Sequence, residues 1–241
     1  MVAASSTSGG GTWPCLPALG ASSQMSPSAA LAYQFSGLAA IKSLKQQSRQ
    51  FDKREFIDGI LEQFSRLHQQ IVQAPRQFLL ISEPAHSEEV FQEVDTLWKQ
   101  TPPAAGDFTA LDLPPIRAGV QQMWTTNTAV NFCARAYPTV TAAHPDHAVL
   151  CVLSGFMRNG YLHRAIREQG GAYGGGADQD ANAAAFRFYS YRDPRLEDTL
   201  KDFERAVDWV LSGKHQFRQV EESILGVISA MDKPSSPAGE A

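Results

Sequence analysis

"LHRAIREQGGAYGGGA", residues 162–177, runs from the end of a helical stretch into five glycines, with an Arg, a Glu and a Tyr set around them. Glycine loses more backbone freedom on folding than any other residue, so a segment this rich in it needs positive φ angles or the close approach of another group. The reading is therefore that something lies against residues 170–176. Downstream, AYGGGADQ (172–179) and AAFRFYSY (184–191) read as two strands. In the second, alternation places Phe186, Phe188 and Ser190 on one side and Arg187, Tyr189 and Tyr191 on the other.

The flanks alternate helix and strand. Upstream, 120–138 is rich in β-branched and aromatic residues and predicts strand structure with a turn near Thr126–Asn127. His144–Pro145 can open a helix through HAVLCVLSGFMRNG and on into YLHRAIREQ. Asp193–Pro194 starts a further helix, with Leu196, Leu200, Phe203, Val207, Val210 and Leu211 as its buried face. A last helix runs from about His215 and ends before Pro234.

The first half reads differently. Residues 1–27 are Ser-, Gly- and Pro-rich and are expected to be a disordered lead-in, with order beginning near Ser28. AALAYQFSGLAAIKSLKQQ predicts a helix interrupted at Gly37. Asp52 and Glu55 form a capping-box pattern before a second helix whose Phe56, Ile60, Leu61, Phe64, Leu67, Ile71 and Val72 share one face. QFLLIS (77–82) is a strand candidate and 87–100 a helix. The four prolines in TPPAAGDFTALDLPP mark 101–118 as a linker, which divides the chain into 28–100 and 119–241.

The totals exclude several function classes. The 241 residues, 43% of them hydrophobic, suffice for a real core, and a net charge of −4 without a basic stripe argues against nucleic acid or an anionic membrane as partner. No apolar run approaches the roughly 18 residues of a spanning helix. Residues 1–41 carry no charged side chain, unlike a basic secretory n-region or an Arg-rich transit peptide. Cys15, Cys133 and Cys151 are widely spaced and form no C-x-x-C, so they read as incidental thiols.

No local motif supplies a complete catalytic machine. The glycines fit neither a Walker A loop nor a dinucleotide fingerprint. His144 and His147 share a helical face without a third zinc ligand nearby, and H-x-x-E-H, H-E-x-x-H and G-x-S-x-G are all absent. Arg167 and Tyr173 remain, and two readings stay open. They can grip a peptide carbonyl or steady an oxyanion, or Arg167 pairs with Glu168 or another acid while Tyr173 packs in a sheet.

DHAVLCVLSGFMRNGYLHRAIREQGGAYGGGA and FRFYSYRDPRLEDTLKDFERAVDWV, with KPSSPAGEA at 233–241, resemble the last domain of the presequence-protease branch of the pitrilysin/insulinase (inverzincin) metallopeptidases. The resemblance runs from about Ala30 and is most specific in LHRAIREQGGAYGGGA. It implies an α+β fold, a two-layer antiparallel sheet with packed helices. In that fold 28–100 would end a third peptidase-like domain and 119–241 would form an incomplete fourth. By motif, Arg167 and Tyr173 would contact the substrate backbone and the tetrahedral intermediate, while Gly170, Gly171, Gly174 and Gly175 let an extended segment lie close to the substrate. Zinc would be bound by a separate N-terminal half, with no ligand in this chain. The implied partners are an unstructured peptide and that zinc-bearing half, in a bacterial cytoplasm or an organelle matrix. The fragment is expected to be inactive alone. The alternative is a non-catalytic peptide-binding or assembly protein that retains the fold.

Overall fold

The computed structural model describes residues 15–101, 119–125 and 127–232, and in it the chain divides into two compact units. One comprises the described residues of 1–44 and 113–231, the other those of 45–112 and 232–241.

The first unit is built on a three-stranded antiparallel sheet of β1 (Asn131–Pro138), β2 (Gly174–Asp180) and β3 (Ala185–Asp193) in the order β1-β3-β2. The alternation read from 184–191 is borne out: Phe186, Phe188 and Ser190 are buried, whereas Arg187, Tyr189 and Tyr191 face the other way. The buried face carries the core. Cys133, Ala177, Phe186 and Phe188 from the sheet meet Leu162, Ile166, Phe203 and Ala206 from the helices, and burial pushes the Cys133 thiol above its usual pKa.

Those helices are α6 (Asp146–Met157), a wide-turned π-helix over Arg158–Gln169 that continues it, α7 (Glu197–Leu211) and α8 (Phe217–Met231). Gly160 in the π-helix lies under the Trp209 ring, where a Cβ would come 2.9 Å from Cζ2. The apolar stripe of α7 is rotated from the expected one. Phe203 and Ala206 are buried with Thr199 and Asp202, while Val207 and Leu211 stand exposed. The start also moves, because the fully buried Asp193 carboxylate accepts from the Arg195 N–H (2.9 Å) and the Thr199 hydroxyl (2.7 Å) and fixes a turn before the helix.

Order begins earlier than expected. Residues 1–14 lie outside the described residues, but 15–27, read as disordered, form α1 (Cys15–Ser22) and lead into α2 (Pro27–Ser36). The serines that suggested disorder act as caps and anchors. Ser26 Oγ accepts from the Ala29 N–H (3.1 Å), and the Ser26 and Ser28 hydroxyls reach the Asn182 carbonyl (3.1 and 2.8 Å). Ala29 packs with Ala183 and Ala185 against the sheet unit. The helix expected from Ser28 does break at Gly37, and α3 (Leu38–Ser48) follows.

Only one strand forms in the expected 120–138 strand region. Residues 119–125 are irregular, since strand propensity without a ladder partner does not hold a strand, and the expected turn position Thr126 lies outside the described residues. QFLLIS likewise forms no strand; Phe78 instead meets the Trp98 ring at 5.2 Å. The second unit is helical, with α4 (Arg54–Gln73) and α5 (Ser87–Trp98). Lys53, not Asp52, precedes α4 and no side chain caps it; the edge-on contact of Phe51 with Phe56 at 5.6 Å sets the entry of the chain instead. The expected linker lies outside the described residues apart from Thr101.

Candidate functional site

The glycine segment is a helix stop followed by an edge strand. The Gly171 N–H donates to the Arg167 carbonyl (3.1 Å) and the Ala172 N–H to the Ile166 carbonyl (3.1 Å), with Gly171 left-handed at φ 77°. This is a Schellman-like end, widened by one residue to suit a π-helix. It places Arg167 in the last turn and Tyr173 immediately before β2.

What lies against the glycines is now explicit. Gly170 faces the Arg195 guanidinium, which donates to the Ala165 carbonyl (3.3 Å) and pairs with Asp202 (3.1 Å). Gly174 faces the hydroxyl end of Tyr191, its cross-strand partner. A Cβ on Gly175 would meet Ile166 Cγ2 at 2.8 Å and the Tyr189 carbonyl at 2.9 Å, and one on Gly176 would meet Arg158 Cδ at 3.0 Å. The close approach is thus made by this chain's own side chains at Gly170, Gly174 and Gly175, and Gly171 supplies the positive φ.

Tyr173 is 62% exposed, its ring 5.7 Å from that of Tyr191 and 5.8 Å from the guanidinium carbon of Arg192. Its N–H donates to the Arg192 carbonyl (3.3 Å), which joins the turn to the end of β3. Arg167 is exposed, and Glu168 faces His163 (3.3 Å) rather than Arg167. Of the two open readings, pairing of Arg167 with Glu168 is therefore set aside. Neither the Arg167 guanidinium nor the Tyr173 hydroxyl has a polar partner among the described residues.

The rest of this sheet face is electrostatically settled. Arg187 binds Asp178 and, at 2.6 Å, Asp180, so one guanidinium bridges both carboxylates of β2. Burial, then repulsion from Asp178, raises the Tyr189 phenol, while Arg158 opposes the shift. Sequence reasoning placed Tyr189 and Tyr191 on this face but missed Arg192 and Arg158, since neither carries a motif signal.

His144 and His147 make no metal site. His144 Nδ1 accepts from the Asp146 N–H (3.2 Å), His147 Nε2 lies 3.5 Å from Cys151 Sγ, and no set of three or more His, Cys, Asp or Glu converges on a metal position among the described residues. The described residues do not fit zinc. A cavity of about 790 Å³ opens elsewhere, beside β1, and neither Arg167 nor Tyr173 lines it.

The comparisons bear on the segment that carries the sheet. Residues 122–241, which hold the whole sheet, match the family model described as PreP C-terminal domain. That segment is of the presequence-protease C-terminal type. The mitochondrial presequence protease of Mus musculus is 45% identical over 109 residues, 45% of this chain and 10% of that protein. Those of Kluyveromyces lactis and Saccharomyces cerevisiae are 42% identical over 113 residues and 38% over 112, each covering 46% of this chain and 11% of its relative. The chain thus spans about a tenth of the curated relatives it matches. The presequence-protease domain carries the α+β architecture and both Arg167 and Tyr173, whereas residues 30–121 lie outside the matched family segment. No helix among the described residues is long and apolar enough to cross a membrane.

Proposed function

We propose that the chain is the substrate-clamping, non-zinc part of a presequence-protease-type metallopeptidase, acting on unstructured peptides. The observation that carries this reading is the pair of unpartnered donors at the glycine turn, the Arg167 guanidinium and the Tyr173 hydroxyl. A permanent cation with planar donors and a phenolic O–H are suited to hold a peptide carbonyl, and both strengthen as negative charge grows on its oxygen. The glycines serve that end indirectly: they let Ile166, Tyr191 and Arg195 pack closely against the turn, and any backbone contact of Gly170, Gly171, Gly174 and Gly175 with substrate is part of the same proposal.

In this reading zinc belongs to a separate half of the enzyme, contributed by the same polypeptide or by another subunit, and the chain hydrolyses nothing alone. The relatives are named as mitochondrial presequence proteases, which supports cleaved presequences as substrates and an organelle matrix as compartment. Residues 28–100 and 119–241 would be parts of two successive peptidase-like domains.

The test pairs the chain with a zinc-bearing N-terminal half and follows cleavage of a quenched fluorescent peptide. Tyr173→Phe is expected to lower kcat roughly a hundredfold, about 3 kcal/mol for one lost donor, with zinc content unchanged. An unaltered kcat removes Tyr173 from the mechanism. Peptide binding with no cleavage in the paired protein favours a non-catalytic peptide-binding protein.

A further inference from the structure

Arg192 lies outside the residues expected at the site, yet the fold directs it there. It is the penultimate residue of β3, with φ at 50°, a left-handed backbone that L side chains disfavour and that glycine would adopt freely. Its neighbours impose that conformation. On one side Tyr191 pairs with Gly174 across the strands, and on the other the buried Asp193 carboxylate holds the Arg195 N–H and the Thr199 hydroxyl. The Arg192 carbonyl accepts from the Tyr173 N–H, and its guanidinium carbon stands 5.8 Å from the Tyr173 ring centroid, within cation–π range.

The guanidinium is exposed and has no carboxylate partner among the described residues. The nearby acids are engaged elsewhere: Asp178 and Asp180 with Arg187, Asp193 with the turn before α7, and Glu168 opposite His163. A turn serving only to end a strand would be relaxed by glycine. Keeping a strained arginine there, stacked on an exposed tyrosine, points to work for the side chain.

We propose that Arg192 is a third peptide-binding residue of this site. Its guanidinium packs on the Tyr173 ring, which fixes the orientation of the phenol, and donates to a carbonyl oxygen of the bound peptide adjacent to the one held by Tyr173. The inference rests on the reading that Tyr173 faces a peptide. It adds a second cation to Arg167 in the proposed set, so binding should weaken as salt rises.

The strain supplies a discriminating experiment. Arg192→Gly relieves the left-handed backbone while deleting the guanidinium, so stability and binding should move in opposite directions. Binding of a fluorescein-labelled, C-terminally amidated unstructured peptide to the 241-residue chain is read by anisotropy, with thermal unfolding measured alongside. Arg192→Gly should keep or raise Tm and weaken binding about tenfold, the size of one charge-assisted hydrogen bond, with partial rescue in Arg192→Lys. Unchanged affinity in Arg192→Gly overturns the proposal, as does a fall in Tm that accounts for the lost binding. Tyr173→Phe and Arg167→Gln in the same titration separate the two readings. If they weaken binding and Arg192→Gly does not, only the Arg192 proposal fails. If they leave binding intact while Arg192→Gly weakens it, the reading of Arg167 and Tyr173 fails, and with it the placement of the Arg192 contact beside a carbonyl held by Tyr173. A wild-type chain that binds no peptide overturns both.

Discussion

Gly175 and Gly59 are the same residue type under opposite constraints. Gly175 sits on β2 with Ile166 on one side and the Tyr189 carbonyl on the other, at 2.8 and 2.9 Å from where a Cβ would be. The Tyr189 oxygen is backbone in the paired strand and cannot rotate away. Gly59 lies within α4 with nothing inside 4 Å of its Cβ position. Gly175→Ala should therefore destabilise the first unit by about 1–3 kcal/mol, the usual cost of forcing atoms into a packed site. Gly59→Ala should raise helix stability by about 0.8–1 kcal/mol. Urea unfolding followed by near-ultraviolet and far-ultraviolet circular dichroism checks both. Equal effects at the two positions would mean that the contacts at Gly175 do not constrain the strand. At this scale the sequence announced that something approached the glycines, but not what. Ile166 is near in sequence, whereas Tyr191 and Arg195 reach Gly174 and Gly170 only through strand pairing and the turn before α7. The same limit hid Arg192, whose value lies in a φ angle that no motif encodes.

Between elements, the aromatic seam of β3 and α7 holds the first unit together. Phe188 and Phe203 are each about fully buried and stack with centroids 5.6 Å apart at 28°. Phe203→Ala removes the stack and leaves a cavity under the sheet, so a loss of about 3–5 kcal/mol is expected, read as a shift in the urea midpoint. A loss below about 1 kcal/mol, the scale of a surface change, would show that the helix does not depend on this contact. The β3 face was legible because a strand buried on one face repeats every second residue, and that pattern is local. The α7 stripe was legible only in part. Leu196, Leu200, Phe203 and Val210 face the core, but Thr199 and Asp202 share the buried face and Val207 and Leu211 leave it. The cause is polar: Asp193 needs Thr199 and Arg195 needs Asp202, so the helix turns its hydroxyl and carboxylate inward. QFLLIS failed for the converse reason, since an apolar run becomes a strand only where a neighbouring strand offers hydrogen bonds.

At the scale of the whole molecule the two units differ in what they bury. The first has a continuous core of aromatic and aliphatic side chains around the sheet. In the second, none of the described residues 45–101 is fully buried, and Leu61, Phe64, Leu67 and Ile71 on α4 stand more than half exposed, as do Phe91 and Leu97 on α5. The apolar helix face read from 56–72 is therefore real as a pattern but uncovered within the unit. Helices without tertiary burial are marginal in water, even at the 20 residues of α4, because nucleation is costly and propagation gains little per residue. Hydrogen exchange on the 241-residue chain should then be split. Amides of β3 and the π-helix should exchange only through global opening, while those of α4 and α5 should exchange on the order of a hundredfold faster or more, through local fraying. The split should persist on dilution, because it arises within one chain. Slow exchange in α4 that speeds up on dilution would instead show that a second copy covers the apolar face, and slow exchange at every concentration would mean that the second unit is stabilised by contacts other than the burial of its own apolar side chains.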